Sequence, residues 1–290
     1  MSETVGPRAD HVDVPIGIRE LEVIRRESVT PKMVRIVFGG SGVDGFITST
    51  PDEHVKLVFP DPDGVTRHPV QAADGKMLDW PRPFPPTREY TIRRVDREAG
   101  EIWMDFVVHP GGLASDWAQH VSPGETLWVA GPRPSHQVPA DFGFQILLAD
   151  HTALPAVARW LEELDPSVQA EVAVLVPDVA EEQPLAVRDG VNLTWYHADE
   201  GVGDDVLGRH LEQVVLPGDR HVYLWAAGEA GLLKPVRRWA KAHGFARGTC
   251  DVAGYWRKGR TNAVPTSRAV QLAAQARHVL DHALGREHTH

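Results

Sequence analysis

Disulfide frameworks and membrane-spanning helices are the first features that this sequence excludes. Cys250 is the only cysteine among 290 residues, which rules out an internal disulfide framework and fits a reducing compartment. No apolar run approaches the roughly 20 residues that a spanning helix needs. The first residues, MSETVGPRADHVDVP, lack the apolar stretch of a secretory signal. We therefore expect a cytoplasmic protein without a membrane partner.

The net charge and the absence of several motifs exclude further classes of partner. The formal net charge of −10 argues against a nucleic-acid partner. The 15 histidines are scattered, with no HExxH spacing, so we expect no metal site built by the protein itself. The second half of the chain contains neither GxGxxG nor a Walker loop, and therefore lacks the usual dinucleotide fingerprint.

The first half of the chain has the composition of a β domain. Strand-length segments rich in β-branched and aromatic residues are separated by Gly, Pro and Asp. They predict a six-stranded antiparallel β-barrel over residues 19–142, after a loosely ordered N-terminus at 1–18. A helix is expected only at LASDWAQH. The six strands are LEVIRRESV, MVRIVFG, HVKLVFP, REYTIRRVD, EIWMDFVVH and ETLWVAG.

The second half alternates apolar strands with amphipathic helices. This βαβ pattern predicts a three-layer α/β domain over residues 143–262, with a mostly parallel sheet. Residues 263–290 form an extension, in which an Ala-rich helix is expected at 266–284. No function can be assigned to that extension from its sequence.

Two short motifs in the β domain together fit a flavin dinucleotide. Arg88 and Tyr90 share one face of an extended segment, and Thr91 points to the other. About twenty residues later, Gly111 and Gly112 precede a helix start that can bind a pyrophosphate with free N–H groups. Each motif alone is more simply an ordinary strand or an ordinary helix start, but their order favours a joint cofactor site.

Seven ordered segments resemble the siderophore-interacting proteins, which are flavin-dependent ferric-siderophore reductases related to the ferredoxin-reductase superfamily. The resemblance spans roughly residues 19–262. It implies FAD as the cofactor and a ferric siderophore, an anionic chelate, as the substrate. The segments are HVKLVFP, REYTIR, VVHPGGLASDWA, GPRPSH, ADHTALPAVAR, WAAGEAG and GYWRKGR.

The resemblance also implies roles for individual residues. Arg88 would pair with the pyrophosphate, Tyr90 would pack on the isoalloxazine ring, and Thr91 would hydrogen-bond the flavin edge. Trp256 and its neighbour Tyr255 would cover part of the cofactor, although a core role for Trp256 is nearly as favourable. Leu113 stands where the family usually has proline. The remaining cofactor contacts would come from Val108, His109, Gly112, Leu113, Ala114, Ser115 and, toward the adenine, Thr152.

A nicotinamide-binding surface is expected where strands of the parallel sheet end. The candidates are Asp150, Thr152, Gly228 and Glu229, and their simplest alternative role is helix capping. NADH or NADPH is the expected electron donor, and a ferredoxin remains an alternative. Arg188 is a loose candidate for contact with a 2′-phosphate.

Three cations from distant segments are candidates for binding the chelate: Lys56, Arg133 and Arg257, with Lys258 and Arg260 as alternates to the last. Each alone is more simply a solvated surface charge. Two other functions stay open at this level. The protein could be a flavin reductase of the same fold that serves a ferredoxin or quinone, or a non-catalytic siderophore-binding protein.

Overall fold

The computed structural model describes residues 7–11, 16–75, 77–133 and 136–259. Two main sheets follow one another along the chain, one antiparallel and one parallel. The extension that begins at 263, with its expected helix at 266–284, and Arg260 lie outside the described residues. None of the described helices is long and apolar enough to cross a membrane.

The first half is built from short and medium strands and one α-helix, α1 (Leu113–His120). The strands are β1 (Asp10–His11), β2 (Gly17–Thr30), β3 (Met33–Gly39), β4 (His54–Val58), β5 (Val70–Gln71), β6 (Leu78–Asp79), β7 (Thr87–Thr91), β8 (Arg94–Asp96), β9 (Glu101–Val107), β10 (Thr126–Arg133) and β11 (His136–Gln137).

Seven of these strands form the antiparallel sheet, in the order β7-β4-β10-β2-β3-β9-β8. Its two edge strands are separated in sequence only by Ile92 and Arg93. Ile92 N–H donates to Glu53 O on the β4 side, and Arg93 N–H donates to Trp103 O on β9. The sheet therefore closes on itself as a barrel, which confirms the predicted fold class.

The strand count differs from the expected six because the segment REYTIRRVD is divided into β7 and β8. It changes partner in the middle, from β4 to β9, and the backbone loses regular pairing at that crossing. Inside the barrel, Ile102, Met104 and Phe106 are fully buried, as the alternation of β9 predicts.

The N-terminal residues that the structure describes pair with later parts of the chain. β1 pairs with β11, and β2 already begins at Gly17. Ala9 N–H donates to Gly248 O, and the Ala9 side chain is 8% exposed. Backbone pairing and burial therefore stabilise these residues, while the loosely ordered N-terminus at 1–18 stays a prediction.

The second half alternates strands and helices as predicted. Its elements are β12 (Phe144–Asp150), α2 (Leu154–Glu163), β13 (Gln169–Val176), β14 (Val191–His197), α3 (Val206–Leu211), β15 (Val222–Glu229), α4 (Leu233–Ala242) and β16 (Cys250–Trp256). The five strands are all parallel, in the order β14-β13-β12-β15-β16. Helix α2 packs on one face and helices α3 and α4 on the other, which gives three layers.

Candidate functional site

Arg88 is a half-buried cation on β7. Its Nη1 donates to the Thr87 carbonyl at 2.7 Å, and burial lowers the pKa of the guanidinium. No ion pair with a carboxylate is formed by Arg88 within the described part of the chain. A buried charge without a counter-ion is costly, so this position suits a bound anion such as a pyrophosphate.

Tyr90 and Thr91 point to opposite faces of the sheet. Tyr90 is paired with Val55 and its ring centroid lies 4.2 Å from that of Phe106, at the barrel core. Thr91 is only 6% exposed because it faces the second domain. Burial raises the pKa of Tyr255 on β16, and a hydrogen bond with the Thr91 side chain acts in the opposite direction. Thr91 therefore links β7 to β16.

The turn between β9 and α1 presents backbone N–H groups. Gly111 has φ 72°, which favours glycine, and a Cβ on Gly112 would lie 2.3 Å from Cε1 of His109. Ser115 is buried, and its hydroxyl donates to His109 O while accepting from His109 N–H. Ser115 therefore shapes the turn. Among the residues that the structure describes, no side chain caps α1, so the N–H groups of Leu113 and Ala114 are available to an anion.

Four of the predicted nicotinamide and cofactor residues converge on Asp150, at the end of β12. Its Oδ1 accepts from Thr152 N–H at 2.8 Å and from Thr152 Oγ1 at 2.6 Å. Its Oδ2 accepts from Glu229 N–H and from Trp256 Nε1, each at 2.8 Å. Gly228 has φ 144°, and a Cβ there would lie 2.5 Å from Cγ of Asp150. Asp150 thus joins the ends of three parallel strands.

Glu229 extends the same arrangement toward the end of β16. Oε2 of its carboxylate contacts Gly231 N–H and accepts from Leu232 N–H at 2.8 Å, and Oε1 accepts from Lys258 N–H at 3.1 Å. Burial favours a higher pKa for Glu229, but these N–H groups and the charge of Arg257 outweigh it and lower that pKa. The carboxylate therefore stays ionised and holds the two N–H groups that directly precede α4.

Lys56 and Arg133, two of the predicted chelate-binding cations, lie close together. Both approach the same carboxylate oxygen of Glu89: Lys56 Nζ contacts it directly, and Arg133 Nη1 lies 3.8 Å from it. Sequence reasoning missed Glu89, although alternation places it on the face opposite to Arg88. Arg257 is exposed directly after β16, where its charge acts on Glu229.

Arg188, the candidate for contact with a 2′-phosphate, stabilises the fold instead. Arg188 donates to the carbonyls of Asp165 and Val168 at the start of β13. This is the sheet end opposite to Asp150, so Arg188 is not placed to contact a nucleotide there. Among the described residues, no group of three or more His, Cys, Asp and Glu side chains is arranged to hold a metal ion.

Comparison with known proteins identifies the family of both halves of the chain. Residues 22–136 match the siderophore-interacting FAD-binding domain, and residues 143–259 match the siderophore-interacting protein family. An NADPH-dependent ferric-chelate reductase of Escherichia coli is 38% identical, over 83% of this chain and 93% of the relative.

Solved structures support the same relationship. A siderophore utilization protein from T. fusca superimposes with a TM-score of 0.80 at 40% identity, over 88% of this chain and 98% of that one. A ferredoxin–NADP⁺ reductase from Plasmodium falciparum shares the fold with a TM-score of 0.61 at 12% identity, over 82% of this chain and 96% of that one.

Proposed function

Because the chain belongs to the siderophore-interacting protein family, we propose that it is an FAD-dependent oxidoreductase that reduces ferric siderophores. The observation that supports this proposal most directly is that both faces of β7 present charged residues. Arg88 on one face has no carboxylate partner in the described structure, and Glu89 on the other face contacts Lys56. One strand thus joins an anion site suited to the cofactor with a charged surface suited to the chelate.

The residues around β7 fit FAD. We propose that Arg88 and the first N–H groups of α1 bind the pyrophosphate, while Tyr90 and Thr91 border the flavin ring. Val108 and His109 would flank the phosphates, since they enter the Gly112 turn. When bound, a flavin accepts two electrons as a hydride and releases them singly, as Fe(III) requires. Because siderophore oxygens hold Fe(III) far better than Fe(II), reduction releases the iron.

The Asp150 arrangement is our proposed nicotinamide surface. Asp150, Thr152, Gly228 and Glu229 lie at the carboxyl ends of β12 and β15, where ligands of parallel sheets bind. Trp256 adjoins them through its hydrogen bond to Asp150. NADPH is the donor that we propose, in line with the name of the Escherichia coli relative, and a reduced ferredoxin is the alternative. The domain division between 142 and 143 and a cytoplasmic location also remain proposals.

An anaerobic titration tests this function. Purified protein is mixed with NADPH, NADH or reduced ferredoxin, and the flavin absorbance is followed. We expect bleaching by NADPH and recovery when a ferric siderophore is added, with Fe(II) captured by a colorimetric chelator. Recovery with a quinone but not with a ferric chelate would assign the protein to another acceptor. A colourless preparation that takes up no FAD would indicate a non-catalytic binding protein.

Replacing Arg88 by alanine should weaken FAD retention. A lost charge-assisted contact to a pyrophosphate costs about 1.5–3 kcal/mol, roughly a 10- to 150-fold weaker affinity. The flavin content per protein, measured by absorbance after dialysis, gives the result. The control is Arg94→Ala on β8, whose exposed guanidinium pairs with Asp96 and should leave the flavin content unchanged. Equal retention by both variants would place the pyrophosphate elsewhere.

A further inference from the structure

Lys56 and Arg133, on the outer face of the barrel, share a carboxylate partner. β4 lies between β7 and β10 in the sheet, so Lys56 on β4 has Glu89 on one side and the strand of Arg133 on the other. Lys56 Nζ contacts Glu89 Oε1, and Arg133 Nη1 lies 3.8 Å from the same oxygen. One carboxylate therefore engages both cations. We call Lys56, Glu89 and Arg133 the β4 charge cluster.

The charge state of the cluster follows from its neighbours. Burial favours a higher pKa for Glu89, but the charges of Lys56 and Arg133 oppose it and that pKa is lowered, so the carboxylate is ionised at neutral pH. Burial lowers the pKa of His54, the β4 residue paired with Arg133, so its imidazole is neutral at that pH. Two cations and one carboxylate leave one net positive charge instead of two.

The cluster is open to solvent. The side chains of Glu89 and Arg133 are 47% and 48% exposed, and that of Lys56 is 25% exposed. An incoming chelate therefore meets Glu89 as well as the cations. A strongly anionic chelate is repelled by this carboxylate and must compete with it for Lys56 and Arg133, whereas an uncharged chelate does neither.

We propose that Glu89 tunes the substrate preference of this protein by weakening the binding of strongly anionic ferric chelates relative to chelates of low net charge. The inference rests on the proposed function and concerns the substrate preference of the same site. A tris-hydroxamate chelate of a trivalent ion is uncharged, because each hydroxamate carries one negative charge. A tris-catecholate chelate keeps three negative charges, because each catecholate carries two. Glu89 therefore acts against the second class and leaves the first unaffected.

Binding to the oxidised holoprotein tests the proposal without any electron transfer. Gallium(III) replaces iron, since it has the same charge and is not reduced, and hexadentate tris-catecholate and tris-hydroxamate chelates are titrated by calorimetry at low salt. For Glu89→Gln we expect the ratio of the two dissociation constants to shift by about tenfold in favour of the tris-catecholate, because one repulsive charge near the chelate is removed. The shift should shrink at high salt.

A matched variant separates this local effect from the overall charge of the protein. Glu212→Gln changes the net charge equally, at the exposed end of α3 in the second domain, and should leave the ratio unchanged. A ratio that is equal in wild type and Glu89→Gln, or that shifts equally in both variants, overturns the proposal.

If the proposed function itself is wrong, these experiments give a different result. In that case neither gallium chelate binds the wild type and no ferric chelate restores its bleached absorbance, and the inference about Glu89 falls with it. If both chelates bind the wild type but Glu89→Gln leaves their ratio unchanged, the inference alone is wrong. The absorbance of bound FAD in each variant confirms that the cofactor site is intact.

Discussion

Replacing Arg159 by methionine is expected to lower the free energy of unfolding by about 3–5 kcal/mol. Arg159 lies on α2, and its side chain is 5% exposed. Its guanidinium donates to Glu53 Oε1 at 2.9 Å, to Ile92 O at 3.0 Å and to Thr48 Oγ1 at 2.6 Å, all in the barrel. The variant would leave Glu53, itself 1% exposed, as a buried carboxylate without its cation.

The loss should depend on pH. Burial raises the pKa of Glu53 above its ordinary value of 4.5, and the Arg159 charge opposes this rise. Without Arg159 the pKa of Glu53 in the folded state rises further. The Glu53 carboxyl group then binds its proton more tightly in the folded state than in the unfolded state. Stability then falls as pH rises from about 4.5 toward the new folded-state pKa. Urea unfolding should therefore show a larger loss at about pH 8 than at about pH 5.

Two controls define the cause. The side chain of Glu163, the second carboxylate partner of Arg159, is 46% exposed. Glu163→Gln should therefore lower the free energy of unfolding by at most about 1 kcal/mol. Adding Glu53→Gln to Arg159→Met should recover part of the lost stability and abolish the additional pH dependence. A loss that is the same at both pH values and in the double variant would show that packing, and not the buried charge, is responsible.

Replacing Asp150 by alanine is expected to cost about 3 kcal/mol of stability, because it removes a buried acceptor from four donors. Two of these donors, Glu229 N–H and Trp256 Nε1, come from β15 and β16, so the ends of three strands lose their common partner. Asp150→Asn should also be destabilising, since its NH₂ group would have to face hydrogen-bond donors. The midpoint of urea unfolding measures both effects.

The matched control for Asp150 is Asp189→Ala, an exposed aspartate in the turn before β14, which should change stability by less than about 0.5 kcal/mol. Affinity for NADPH gives a second measurement on the same variants. If Asp150→Ala unfolds like the wild type, the four hydrogen bonds do not hold the strand ends together. If its stability falls while NADPH binding is retained, the nucleotide surface that we propose lies elsewhere.

Local pattern was sufficient to predict the elements of both domains. The helix expected at LASDWAQH is α1, Leu113–His120, and the βαβ alternation of the second half yields an all-parallel five-stranded sheet. Alternation also placed Arg88 and Thr91 on opposite faces of β7. These features depend on residues that are close in sequence. The spacing of apolar residues along the chain therefore predicts them directly.

The sequence by itself therefore determined the two-domain order, the family and the segments that we propose for the cofactor site. Only the tertiary structure decided which charges meet. Lys56 and Glu89 are 33 positions apart and Asp150 and Trp256 are 106 apart, so their contact depends on which strands become neighbours and in what register. The same holds for Arg159 and Glu53, whose burial arises only when the two domains pack. Such pairings are set by closure of the barrel and packing of the sheets, which no local period encodes.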